Sequence, residues 1–178
     1  MPWKNGGGET VEIVVFPEGA ALADFDWRVS MATVASDGPF SVFPGIDRTL
    51  SILDGEGMTL FIEDRAPLRL TRDSEPLPFP ADAATSATLV NGAITDLNVM
   101  TRRGVLSHRV ERLAVDGTIA LGLAGETMLL LCEDGGIDLG LGDSNGTLGK
   151  RDCLILGTGG KGMLRLSGRA LCYVIHIR

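Results

Sequence analysis

Thr49-Leu50-Ser51-Ile52-Leu53-Asp54-Gly55-Glu56-Gly57-Met58-Thr59-Leu60 joins an apolar run, an acidic glycine-rich turn and a run in which apolar and polar residues alternate. Residues two apart share one face of a β-strand, and glycine clusters between such runs are typical of hairpins. The stretch therefore predicts two antiparallel strands. The period of two recurs along the 178 residues, and no long amphipathic helical pattern accompanies it. The chain is predicted to be all-β, almost without helix.

A second copy of this pattern indicates an internal repeat. Residues 127–139 again combine an apolar run, an acidic glycine turn and an alternating run, and residues 162–175 parallel residues 87–100 at a similar offset. Two related halves of hairpin pairs predict a bicupin, which consists of two tandem double-stranded β-helices of jelly-roll type. We place the N-terminal half at residues 1–104 and the C-terminal half at residues 105–178, in one compact unit whose halves can exchange strands.

Arg48 lies in the apolar strand that precedes the quoted turn, and it shares a strand face with two apolar neighbours. A buried guanidinium keeps its charge and is costly to desolvate, so it must meet an anion or several acceptors. Two interpretations stay open. Arg48 forms an internal ion pair with Asp96 or Glu9, or it holds a carboxylate ligand bidentately. Because the repeat aligns Arg48 with Glu126, only the first half is expected to carry the site, and the second half is expected to be structural.

Further candidate ligand contacts lie in the predicted strands and loops around this arginine. Arg28 lies on the small-residue face of its strand, where it either contacts a ligand or forms a structural ion pair. Asn98 offers both a donor and an acceptor, and Met100 offers a deformable apolar wall. Phe40 and Phe43 are expected to form the apolar rim of a pocket with few polar groups.

The N-terminal segment supplies the remaining candidates. Trp3, Lys4 and Asn5 precede three consecutive glycines, which allow a tight backbone path with exposed N–H groups. If the segment lies over the mouth of a barrel, Lys4 and Asn5 can reach a bound anion. The alternative is a flexible tail in which only Trp3 docks.

Composition excludes several classes of partner. A net charge of −7 and a pI near 4.8 disfavour nucleic acid, because a phosphate-binding surface needs a basic patch. No apolar stretch is long enough to span a bilayer, and the N-terminus lacks the apolar region of a signal peptide. The three cysteines are far apart, without a CxxC motif, and predict reduced thiols. We therefore expect a cytoplasmic protein that binds a small anionic metabolite, with a homodimer as a further option.

The two histidines, His108 and His176, lie in different halves. A cupin metal site usually needs a closely spaced pair of histidines, a glutamate and a third histidine, and this sequence does not contain that set. Neither histidine lies in a recognisable nucleophile motif. We expect no metal, no cofactor and no catalytic residue, so binding is favoured over catalysis. A metal-free isomerase or hydrolase of a small carboxylate stays open as the alternative.

Four blocks of sequence together resemble the HutD/Ves family. They are PWKNGGGET at 2–10, FDWRVSMA at 25–32, GPFSVFPGIDR at 38–48 and DLNVMTRRG at 96–104. They keep the order and spacing of the family. The resemblance implies a metal-free bicupin linked to bacterial histidine utilisation. It further implies binding of a small carboxylate such as formylglutamate or formate, and a role as a regulator or governor. Members outside such pathways are described only as stress-induced proteins.

Overall fold

The computed structural model describes residue 1 and residues 8–178, and all the regular elements in these residues are strands. The all-β prediction is therefore confirmed. No part of the described chain forms a helix that could cross a bilayer. The strands are β1 (Gly8–Phe16), β2 (Trp27–Val34), β3 (Gly38–Pro39), β4 (Ile46–Asp54), β5 (Met58–Ile62), β6 (Leu68–Leu70), β7 (Leu77–Pro80), β8 (Thr85–Leu89), β9 (Ile94–Arg102), β10 (His108–Ala124), β11 (Thr127–Leu141), β12 (Ser144–Leu148), β13 (Cys153–Leu156) and β14 (Lys161–Ile177).

The chain divides into two units, Met1–Ser107 and His108–Arg178. The first unit contains β1 to β9, and the second contains β10 to β14. That the first half alone carries a ligand site stays a prediction.

The first unit is built from two antiparallel sheets. One has the strand order β1-β2-β9-β4-β7, and the other has the order β3-β8-β5-β6. Their inner faces share an apolar core, because alternate residues of strands in both sheets point into it. Its buried members are Val34, Leu50, Ile52, Phe79 and Ile94 from the first sheet, and Met58, Leu60, Ile62, Leu70 and Ala87 from the second.

The turn at Gly55–Gly57 connects the two sheets. Both predicted strands form, as β4 and β5, but they do not pair with each other. β4 pairs with β7 and β9, whereas β5 pairs with β6 and β8. The prediction of a hairpin here is therefore wrong. The positive φ angles of Gly55 (85°) and Gly57 (98°) let the chain turn sharply from one sheet to the other.

The second unit is one antiparallel sheet with the order β10-β14-β11-β12, in which β13 also pairs with β11. The pairing of β10 with β14 runs over 17 residues of each strand. Its apolar cluster is formed by Val115, Met128, Leu130, Cys132, Ile137, Leu148, Leu164, Leu166, Ala170, Cys172 and Val174.

The predicted turns inside β11 and β14 are wrong. Both strands continue through the glycines that were expected to end them, with a bulge between Cys132 and Asp134. Gly135 (φ 86°) and Gly168 (φ 144°) adopt backbone angles that other residues rarely take. A Cβ on Gly168 would lie 2.6 Å from the Gly136 carbonyl oxygen. These glycines therefore allow close approach of two continuous strands.

A bulge in β1 sets the orientation of one acidic side chain. The register shifts between Glu12 and Val14, so that Glu12 pairs with Ser30 and Val15 pairs with Arg28. Paired residues of antiparallel strands lie on the same face of the sheet. Glu12 therefore lies on the face that carries Arg28, together with Val15, although strict alternation would place Glu12 and Val15 on opposite faces.

Candidate functional site

The inner face of the first sheet carries polar residues in rows across β2, β9 and β4. Met100 of β9 pairs with Arg28 on one side and with Arg48 on the other. One row further along, Asn98 pairs with Ser30. All five residues are at least nine-tenths buried. The strand alternation therefore brings two arginines and a polar pair onto one buried face.

These side chains line a cavity of about 670 Å³ within the first unit. This volume falls within the range of about 300–1,000 Å³ that is usual for small-molecule sites. The segment that contains Phe40 and Phe43, between β3 and β4, forms part of its wall. A smaller depression, of about 430 Å³, lies on the second unit, where its charged lining residues, Asp138 and Arg165, are exposed. The first cavity is therefore the candidate site.

Arg48 is 4% exposed and lies among three phenylalanine rings. Its guanidinium carbon lies 5.3 Å from the ring centre of Phe43, 5.5 Å from that of Phe40 and 5.8 Å from that of Phe79. Its Nε is buried and has no hydrogen-bond partner among the residues that the structure describes. Burial lowers the pKa of Arg48 to about 10, against the opposing attraction of Asp96. The group remains charged at neutral pH, and the rings stabilise that charge without neutralising it.

Arg28 is buried to the same extent, but an acid neutralises its charge. Its Nε donates to Glu12 Oε2 at 2.7 Å, and its Nη1 donates to Ser30 Oγ at 3.1 Å. The Glu12 side chain is one-third exposed. Of the two interpretations left open for Arg28, the ion pair is therefore observed, although the residue also lines the cavity.

Asp96 is a buried acid in the same cavity and is 1% exposed. Asn98 Nδ2 donates to its Oδ1 at 2.6 Å. Burial raises the pKa of Asp96 to about 7, although the charge of Arg48 and hydrogen bonds from Asn98 and the Ala32 backbone oppose the shift. The carboxyl therefore exchanges its proton near neutral pH.

The structure brings five of the eight predicted ligand residues together in the wall of this cavity: Phe40, Arg28, Arg48, Asn98 and Met100. Their role as ligand contacts stays a prediction. Trp3, Lys4 and Asn5 lie outside the described residues.

Sequence reasoning missed one member of the site, Phe79. Alternation predicts that Asp96 shares a cavity-lining strand face with Asn98 and Met100, and Asp96 does line the cavity. Phe79 lies between two prolines, in a segment without a clear strand pattern, and β7 brings it opposite Arg48. The contact of Phe79 with Arg48 could not be predicted, because it depends on the pairing of two strands that are distant in sequence.

His176 pairs with an acid of the second unit, since its Nδ1 lies 2.7 Å from Glu126 Oε1. Within the described chain, no three His, Cys, Asp or Glu side chains are grouped as a metal ion would require. The expectation that the protein works without a metal stays a prediction.

Solved structures with low sequence identity share the fold. The Cupin 2 conserved barrel domain protein from Leptotrichia buccalis aligns with a TM-score of 0.61 at 11% identity, over 96% of this chain and 88% of that chain. The chain therefore has a cupin-like all-β fold.

Closer similarities identify the family. Protein Ves of Citrobacter koseri is 42% identical over 102 residues, which span 57% of this chain and about half (52%) of that protein. The "Uncharacterized 21.2 kDa protein in hutC 3'region" of Pseudomonas putida is 35% identical over 88% of this chain and 80% of its own length. HutD from Pseudomonas fluorescens SBW25, solved in a formate condition, aligns with a TM-score of 0.84 at 32% identity, over 99% of this chain and 91% of that chain. The family model HutD matches residues 1–174, and the chain belongs to the HutD family.

Proposed function

We propose that the cavity of the first unit binds a small carboxylate on Arg48, and that the protein regulates histidine utilisation in response to this ligand. The observation that carries the proposal is the state of Arg48. It is a buried, charged guanidinium that aromatic rings surround and whose Nε has no hydrogen-bond partner in the described part of the chain.

The contrast with Arg28 supports this proposal. Glu12 directly neutralises Arg28, so its charge is already satisfied. The rings around Arg48 interact through their faces and accept no strong hydrogen bonds. A carboxylate supplies both a negative charge and hydrogen-bond acceptors, because its two oxygens match two N–H groups of a guanidinium in one plane.

The relatives support the ligand class and the pathway. The Pseudomonas fluorescens HutD structure is described by its formate condition, and the Pseudomonas putida relative is named for the hutC 3' region. We accordingly propose formate-like or formylglutamate-like acids as ligands, with Lys4 and Asn5 as further contacts. We also propose that the two units are the barrels of a bicupin and that the protein needs no metal.

A metal-free cupin enzyme is the second candidate, and Asp96 is the observation that favours it. A buried carboxyl whose pKa is about 7 is suited to general acid–base catalysis at neutral pH. Incubating the protein with each carboxylate and analysing the mixture by mass spectrometry tests this candidate, since a new product would establish turnover.

Calorimetric titration with formate, formylglutamate, glutamate and urocanate tests the binding proposal. Arg48→Met should weaken binding of the preferred acid by about 2–5 kcal/mol, or at least ~30-fold, because the ligand carboxylate loses its buried partner. Arg165→Met provides the matched control, because Arg165 is exposed in the second unit. It should leave the affinity unchanged.

Circular dichroism and thermal unfolding of each variant without ligand confirm that the variants fold. If none of the four acids binds the wild-type protein, or if Arg48→Met retains full affinity, the proposed function is wrong.

A further inference from the structure

We infer that the cavity takes up a carboxylate together with one proton, and that Asp96 holds this proton while the ligand is bound. The inference rests on the proposed carboxylate site at Arg48. It makes Asp96 a specificity-determining residue of that site.

Both positive and negative groups line the cavity around Asp96. Besides Asp96, four described lining residues carry a charged group: Met1 at its amine, Arg28 of β2, Asp37 of the β2–β3 connection and Arg48 of β4. Lys4 lies outside the described residues.

Three of these groups do not balance Asp96. Arg28 is paired with Glu12, as described above. The Met1 amine is exposed and donates to the Thr10 carbonyl oxygen. Asp37 is exposed and accepts a hydrogen bond from the Leu89 backbone N–H. Arg48 and Asp96 thus remain as the two buried opposite charges that face one cavity.

A carboxylate on Arg48 changes the environment of Asp96. Two anions would then share one buried cation in a medium of low dielectric constant, and like charges at such separations cannot both remain ionised without a large cost. Protonation of Asp96 removes the repulsion. It also converts an oxygen of Asp96 from an acceptor into a donor, which adds an O–H group to the cavity wall.

Protonation of Asp96 costs little free energy near neutral pH, since its pKa is about 7. Below that pH the site is already protonated, and the affinity should be flat. Above it, each binding event must take a proton from solution, so the affinity should fall about tenfold per pH unit. The nearby amide of Asn98 does not titrate and cannot produce this slope.

The experiment titrates sodium formate into the wild-type, Asp96→Asn and Asp37→Asn proteins between pH 6 and 8.5. Wild-type affinity should fall about tenfold between pH 7.5 and 8.5. Asp96→Asn, whose amide imitates a neutral carboxyl, should bind with no pH dependence over this range. Asp37→Asn, which removes the other acid of the cavity, should keep the wild-type slope.

A second measurement needs no variant. Calorimetric titration of the wild-type protein at pH 8 in two buffers of different ionisation enthalpy counts the protons that are bound, and we expect close to one per formate.

The outcomes separate this inference from the function on which it rests. If formate binds and Arg48→Met abolishes binding, but the wild-type affinity is flat and no proton is taken up, the inference fails and the proposed function stands. If Asp37→Asn removes the slope, the proton has been assigned to the wrong acid. If formate does not bind at any pH, both the inference and formate as a ligand are refuted, whereas binding of another acid from the panel would still preserve the carboxylate site.

Discussion

Two arginines of one row show how differently a protein can stabilise a buried charge. Arg28 has an acid partner at 2.7 Å, whereas Arg48 has three aromatic rings between 5.3 and 5.8 Å away. Neutralisation makes Arg28 part of the scaffold. Because the rings leave the charge of Arg48 in place, this residue keeps the capacity to attract an anion into the cavity.

Asp96 should make stability depend on pH. Its folded pKa of about 7 lies above the ordinary value of 3.8. The contribution of Asp96 to the free energy of unfolding is therefore fully present below pH 4 and is lost as the pH rises through 7. In Asp96→Asn this dependence is absent. The stability of the variant relative to wild type should therefore increase with pH by up to about 1.4 kcal/mol per unit, and should level off above pH 7 to 8.

Urea unfolding of both proteins at pH 5, 6, 7 and 8 measures this difference. Parallel pH profiles for the two proteins would contradict the assignment of a raised pKa to Asp96.

At this scale the sequence predicted the face of Arg48 correctly, because alternation alone places it beside apolar neighbours. Alternation could not predict what Arg48 contacts. Phe79 reaches it from a strand that begins 23 residues beyond the end of β4, and the raised pKa of Asp96 depends on burial by the complete sheet.

The turns between strands determine which sheet each strand joins. Among the glycines of these turns, Gly57 has the least room for a side chain. A Cβ at Gly57 would collide with the Leu70 carbonyl oxygen, and the φ angle of 98° adds strain for any other residue. Gly92 also has a positive φ, of 67°, but a Cβ there meets open space.

Gly57→Ala should therefore cost about 3 kcal/mol or more, whereas the matched control Gly92→Ala should cost about 1–2 kcal/mol from backbone strain alone. Chemical unfolding of both variants measures the two losses. Equal losses would show that the close approach of Leu70 does not limit the turn.

The sequence predicted these strands more reliably than their partners. The alternation that identifies β4 and β5 is a local property, but the choice between a hairpin and a crossing to the other sheet depends on the packing of both sheets. The same limit explains the error at Gly135 and Gly168. In the sequence, a glycine that ends a strand cannot be distinguished from a glycine inside a strand that allows a neighbouring backbone to approach closely.

Across the whole molecule, stability against local opening should follow the sheet order. β9 is paired on both sides, by β2 and β4, and β14 is paired by β10 and β11. The strands β12 and β13 are short, and among the described strands they pair only with β11. Amide protons of β9 and β14 should therefore exchange more slowly than those of β12 and β13, as hydrogen-exchange mass spectrometry can measure. Equal exchange across all four strands would contradict this order.

The family and the all-β class were predictable at this scale because four spaced blocks and a pervasive period of two extend over long stretches of sequence. The tandem arrangement of two related barrels stays a prediction. It rests on a likeness of apolar and glycine patterns, and these patterns are also compatible with the long unbroken strands of the second unit.

The bulge in β1 has a consequence for comparing relatives. Glu12 pairs with Ser30 and Val14 with Val29, so one residue of β1 has no counterpart in β2. A relative that lacks one residue here would keep its acid opposite Ser30 and would preserve the neutralised state of Arg28. An alignment that forbids a gap at this point would report the acid as lost. The position of one gap in the alignment thus decides whether the counterpart of Arg28 in a homologue is counted as neutralised by an acid, or as a second un-neutralised arginine beside the counterpart of Arg48.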